Sequence, residues 1–147
     1  MEKIPVRVRI HTRQTLEDGT SQTFTLSEQG HLYLKDNALY IAYREAGEDG
    51  QTTQTTWKIE PSQASLIRQG AAGMKALFRR GAADATQFIT PHGSLPLEIR
   101  TFRLENRLSR AGGRLRVGYQ MLLAGSVSRM EVELRVDTLN KTNGKGD

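Results

Sequence analysis

The sequence predicts an all-β fold: a single antiparallel β-barrel of about ten strands, built from meandering hairpins, with little or no helix. Three observations predict it. Apolar residues recur with period two in many short runs. Turn signals separate those runs at roughly the 8–12-residue spacing of sandwiches and barrels. The hydrophobic fraction, 37%, suits strands with one wet face better than a helix-covered parallel sheet. Closure removes unpaired strand edges, so a barrel is favoured over an open sandwich.

The first run places Val6, Val8 and Ile10 on one parity and Arg7, Arg9, His11 and Arg13 on the other. Glu17-Asp18-Gly19 suits a three-residue hairpin loop with glycine in the left-handed position. Pairing across it sets Ile10 near Leu26 and Thr12 near Phe24. Asp36-Asn37 suits a two-residue primed turn, pairing Leu34 with Leu39, Leu32 with Ile41 and Tyr33 with Tyr40. Gly47 and Gly50 mark a loop before the alternating Thr53, Thr55, Trp57 and Ile59.

The middle is less regular. Ser65–Gln69, Lys75–Arg80 and Thr86–Thr90 are short strand candidates, and Gln69–Met74 reads as a turn or a single helical turn. Leu97, Ile99 and Thr101 alternate again, and Asn106–Gly113 reads as a polar connection. A turn at Ala124-Gly125 then pairs Tyr119 with Met130, Val117 with Val132 and Leu115 with Leu134. The expected organisation is one barrel domain over residues 1–139, followed by a polar tail at 140–147 that reads as disordered.

Thr55–Glu60, Leu66–Gly70 and Phe88–Gly93 resemble segments of the YwiB-like family of small bacterial proteins. So do Ile99-Arg100-Thr101, Tyr119, and the pair Gly113–Ala124 and Gly125–Val136 with its Ser128-Arg129. The likeness runs from about Ile4 to Val136. It implies a calycin-like, lipocalin-like barrel and no particular activity. Trp57, where an aliphatic residue is more usual, and the arginine-rich stretch from Arg100 to Arg116 depart from the family pattern.

Several function classes lack their motif. There is no cysteine, and His11, His31 and His92 lie on separate segments without ligand spacing, so no metal site is expected. Phosphate-binding glycine loops and the nucleophile elbow are missing. Glu131 and Glu133 share a strand face, but Arg116 falls opposite Glu133, and barrel closure would bring Arg7 and Arg9 towards both acids. They read as a solvated charge seam, not an acid/base pair. No enzymatic activity and no cofactor is therefore expected. No apolar run is long enough to span a membrane, and the N-terminus lacks a signal-peptide apolar region, so the expected location is cytoplasmic.

Two functional readings stay open. In the first, the barrel mouth binds a small apolar or anionic molecule. Tyr43 and Trp57 would form walls, Arg68 an anion clamp, Thr90 and His92 a rim, and Tyr119 an interior hydroxyl. Arg68 interests us because a guanidinium flanked by Leu66 and Ile67 would need a carboxylate or a ligand anion if it points inward. In the second, an arginine-rich surface binds nucleic acid or an acidic protein. It would comprise Arg100, Arg103, Arg107, Arg110, Arg114 and Arg116, several of them in a connecting loop with only Glu105 nearby. Formal net charge is +5, with arginine outnumbering lysine 15 to 6.

Overall fold

Alternating apolar residues between short turns can bury one face only if the sheet curls onto itself. A computed structural model, which describes residues 2–47, 50–70 and 73–139, shows that outcome. The strands are β1 (Ile4–Thr15), β2 (Ser21–Lys35), β3 (Ala38–Ala46), β4 (Thr52–Ile59) and β5 (Ala64–Gly70). They continue as β6 (Gly73–Phe78), β7 (Ala83–Thr90), β8 (Gly93–Ser109), β9 (Gly112–Leu123) and β10 (Ser126–Thr138). Each pairs antiparallel with its sequence neighbours, and β1 pairs with β10 to close the barrel. No helix occurs among the described residues.

The local turn chemistry fixes three hairpins. The Leu16 N–H donates to the Thr20 carbonyl at 2.9 Å, leaving Glu17-Asp18-Gly19 as the loop, with Gly19 at φ +87°. Asp36 and Asn37 both adopt positive φ, 52° and 64°, as a primed turn requires. Ala124 and Gly125 do the same at 52° and 81°. The registers that follow are those expected, including Leu32–Ile41, Tyr119–Met130 and Leu115–Leu134.

Two expectations are corrected. Asn106–Gly113 is not a connection: β8 continues to Ser109 and β9 begins at Gly112, so only Arg110 and Ala111 turn the chain. The reason is a bulge at Phe102, where the register shifts between Thr101 and Arg103. Before it Leu97, Ile99 and Thr101 face inward; after it Leu104 and Leu108 pack on the core. The second correction concerns the closing seam. β1 does lie beside β10, but its register sets His11 and Arg13 opposite Glu133 and Glu131, while Arg7 meets Asp137 and Arg9 meets Arg135. Of the Gln69–Met74 link, Gly70 ends β5 and Gly73 opens β6. Residues 71–72 between them, and the polar tail at 140–147, lie outside the described residues.

The barrel axis is filled unevenly. At the end carrying the Asp36-Asn37 turn, Val6, Val8, Leu32, Ile41, Leu115 and Leu134 are fully buried against one another. Phe78, 1% exposed, caps this packed half, with its ring 4.8 Å from Tyr119 and 6.0 Å from Trp57 between centroids. Beyond that aromatic layer the inward positions no longer fill the axis.

Candidate functional site

The unfilled half is a cavity of about 540 Å³. It lies towards the end that carries the β1–β2, β3–β4, β7–β8 and β9–β10 turns. Cross-strand register builds one of its walls as a single row. Tyr43 on β3 opposes Thr55 on β4, which opposes Arg68 on β5, then Met74 on β6 and Phe88 on β7. Trp57 and Tyr119 add an aromatic floor, and Met121, Met130, Leu26 and Leu123 line the remaining sides. Methionine and aromatic side chains of this kind accommodate varied apolar shapes.

The wall has a slit. The β2–β3 ladder stops at Gly30–Tyr43, although β2 begins at Ser21 and β3 runs on to Ala46. Gly30 is required at that fork, because a Cβ there would stand 2.3 Å from the Ala42 carbonyl oxygen. Phe24, which also lines the cavity, lies on the half of β2 that pairs with β1 but has no β3 partner, and is 51% exposed. Thus the cavity meets solvent beside an exposed aromatic ring.

Polar chemistry inside is sparse. Arg68 donates from Nη2 to Glu45 Oε1 at 3.3 Å, and Thr55 Oγ1 donates to the other carboxylate oxygen. Their side chains are 31% and 23% exposed, so this is a half-desolvated ion pair. Arg68 Nε is buried with no acceptor among the described residues. The Trp57 indole donates to the Tyr43 hydroxyl at 3.2 Å. Burial raises the Tyr43 phenol above its ordinary value, against the Trp57 hydrogen bond, and Glu45 adds to the rise. Burial likewise pushes Tyr119 up to about 12, with the Arg68 charge opposing it.

A pH dependence follows from the two phenols. Each stays protonated in the barrel at pH values where an unfolded chain has begun to ionise, so the unfolded state binds fewer protons there. Their contribution to stability is complete below about pH 10 and is lost as pH rises towards the folded value, about 12 for Tyr119. Thermal melts across that window should show the decline, and Tyr119→Phe should flatten it. An unchanged slope in that variant would place the alkaline loss elsewhere.

Among the residues singled out from sequence, Tyr43, Trp57, Arg68 and Tyr119 line the cavity together. Thr90 and His92 do not. Thr90 has inward parity at the cavity end, but its hydroxyl donates to the Gly93 carbonyl and accepts from the His92 N–H, closing the β7–β8 turn. His92 is exposed in that turn. Glu45 was not singled out; it lies two residues from Tyr43 on the same strand face, so alternation could have found it.

The basic residues are also relocated. Arg100, Arg103 and Arg107 lie on β8, Arg114 and Arg116 on β9, and only Arg110 in a turn. Most have carboxylate partners: Arg100 with Glu98, Arg103 with Glu105 and Glu131, Arg110 with Glu2, and Arg114 and Arg116 with Glu133. Those acids come from elsewhere in the fold as well as from nearby sequence. Arg116 chiefly, by hydrogen bond, holds the Glu133 carboxyl below its usual range. No cluster of residues able to hold a metal ion occurs among the described residues. No helix of the described chain is long and apolar enough to cross a membrane.

A closed, ten-stranded antiparallel barrel, packed at one end and hollow at the other, is thus the class that fold and site define. Residues 8–135 match the family described as a domain of unknown function, DUF1934, and the chain belongs to that family. An uncharacterised β-barrel protein of Bacillus subtilis (strain 168), YwiB, is 26% identical over 115 residues, covering 78% of this chain and 80% of that protein. The crystal structure of the ywiB protein from Bacillus subtilis matches with a TM-score of 0.80 at 23% identity, over 90% of this chain and 92% of that one. That likeness is one of fold.

Proposed function

We propose that this protein is a non-enzymatic binding barrel for a small amphiphilic molecule. The apolar body would lie among Met74, Met121, Met130 and the aromatic floor, and an anionic or acceptor head would meet Arg68. The observation that carries this reading is the cavity itself. Its volume of about 540 Å³ falls within the roughly 300–1,000 Å³ usual for small-molecule sites. Its walls are apolar apart from a few convergent polar groups, the arrangement that gives affinity from burial and orientation from hydrogen bonds.

Arg68 supports the anionic preference. Glu45 neutralises part of its charge, yet among the described residues only Nη2 of the guanidinium is hydrogen-bonded, and Nε has no acceptor there. A carboxylate or sulfonate head could accept from the remaining donors. An unmet buried donor costs about 1–3 kcal/mol, so relieving it favours such a head.

Trp57 is the single tryptophan and is 3% exposed in the cavity floor, which makes its emission a local probe. Titration with 1-anilinonaphthalene-8-sulfonate, an apolar dye with one anionic group, should change Trp57 emission saturably at one site per chain. The uncharged N-phenyl-1-naphthylamine should bind more weakly. Trp57 emission that stays constant up to the solubility limit of both dyes would sink the proposal.

A further inference from the structure

The charge of the outer surface is distributed very unevenly around the barrel. Alternation sends Arg7, Arg9 and Arg13 of β1 outward, and on adjoining β10 it sends out Arg129 and Arg135. Arg114 and Arg116 follow on β9, and Arg100, Arg103 and Arg107 on β8. These ten arginines share one four-strand face with five carboxylates, Glu98, Glu105, Glu131, Glu133 and Asp137. The surplus equals the formal net charge of the whole chain, +5. No lysine faces outward from these four strands. By contrast, the outward positions of β2 to β5 are mostly serine, threonine, glutamine and tyrosine, with Lys35, Arg44 and Lys58 the only formal charges.

The ion pairs on this face do not cancel it. Glu133 alone serves Arg114, Arg116 and Arg135, and Glu131 serves Arg103 and Arg129. Because each of these carboxylates is shared between two or three guanidinium groups, donor edges on the arginines remain free. Arg13 and Arg107 are exposed and have no carboxylate partner among the described residues. At the centre, the β8 bulge turns Phe102 outward. Its ring lies against Gly118, where a Cβ would come within 2.5 Å of it, and the Arg129 guanidinium stacks 4.3 Å from its centroid.

From this array we infer that the β8–β9–β10–β1 outer face binds the phosphate backbone of single-stranded nucleic acid. Arginine forks match phosphate oxygens in pairs, and Arg7 and Arg9 on β1, like Arg114 and Arg116 on β9, stand two residues, about 6.6 Å, apart along their strands. An extended polyanion meets such a lattice over its length. The Phe102–Arg129 stack supplies a flat surface on which a base can lie. A folded protein partner would require an apolar centre to the interface, and Phe102 is the one large exposed apolar side chain on this face. The surface is therefore larger than the 100–116 segment, since β1 and β10 supply half of its arginines. It is independent of the cavity, whose lining side chains point the other way.

The test is fluorescence anisotropy of a labelled oligouridylate with the intact protein over a range of salt concentrations. Binding should weaken as salt rises, because each phosphate contact releases counterions. The double variant Arg13→Gln/Arg107→Gln should bind at least about tenfold more weakly at low salt, with a log–log salt slope shallower by about 1.4. The matched variant Arg44→Gln/Lys58→Gln removes the same charge from the opposite side and should leave affinity and slope unchanged. Circular dichroism checks that both variants fold. Equal losses in the two variants would mean bulk charge alone and would overturn the inference. So would no binding at low salt, or face-dependent binding of polyglutamate with none of the oligouridylate, which would assign the face to an acidic polypeptide.

Discussion

Truncation of Phe78 to alanine is expected to destabilise the barrel by about 3–5 kcal/mol, the range for removing a large buried aromatic. Phe78 is 1% exposed and contacts both Trp57 and Tyr119, the side chains that floor the cavity. Removing it merges the existing cavity with a new void above the packed half, and the Val, Leu and Ile rings of side chains around it are held by closed β-ladders that cannot collapse inward. Chemical denaturation measures the loss as a lower midpoint with an unchanged m-value. Trp57 emission should also shift to longer wavelength, because its stacking partner is gone. A loss under about 1 kcal/mol would mean that the aromatic layer does not separate core from cavity.

The second large effect concerns ligand charge. Arg68→Met keeps most of the side-chain volume and removes the guanidinium. Affinity for an anionic amphiphile should fall about tenfold to a hundredfold, corresponding to the roughly 1.5–3 kcal/mol of a hydrogen bond to a charged group. Affinity for an uncharged analogue of the same shape should change little, since the apolar walls remain. The substitution also leaves Glu45 without its cation, so Glu45→Gln with Arg68→Met is the control: the double variant should regain stability but not the preference for anions. Equal losses for charged and uncharged ligands would mean that Arg68 shapes the wall without reading the head group.

Most of this fold was legible because strand alternation is a two-residue code and the turns carry their own chemistry. Asp36-Asn37, Ala124-Gly125 and Glu17-Asp18-Gly19 each fix a register, and the register then determines which residues share the interior. Tyr43, Trp57 and Tyr119 could be placed inside on that basis alone. Arg68 could not, because Leu66, Ile67 and Arg68 give no clear parity; its inward position follows from pairing with Thr55 on β4. The bulge at Phe102 was invisible for a related reason: one extra residue reverses the apolar parity, so Leu104 and Leu108 read as noise and Asn106–Gly113 as a loop. Thr90 ends β7 with inward parity, but its hydroxyl is engaged by the turn, a local competition that alternation does not reveal. The cavity itself, and the Glu45–Arg68 pair within it, depend on how far side chains reach across the axis, which is a property of the closed barrel and not of any one strand.

Native mass spectrometry of gently purified protein, with the same sample denatured for comparison, shows whether the barrel interior holds a ligand. The native protein should carry or take up an amphiphilic carboxylate, one per chain. The added mass should vanish on denaturation and be absent from a cavity-filled Met74→Trp variant. A clean apo mass that persists after incubation with amphiphilic carboxylates, or uptake that Met74→Trp leaves intact, would contradict an occupied interior.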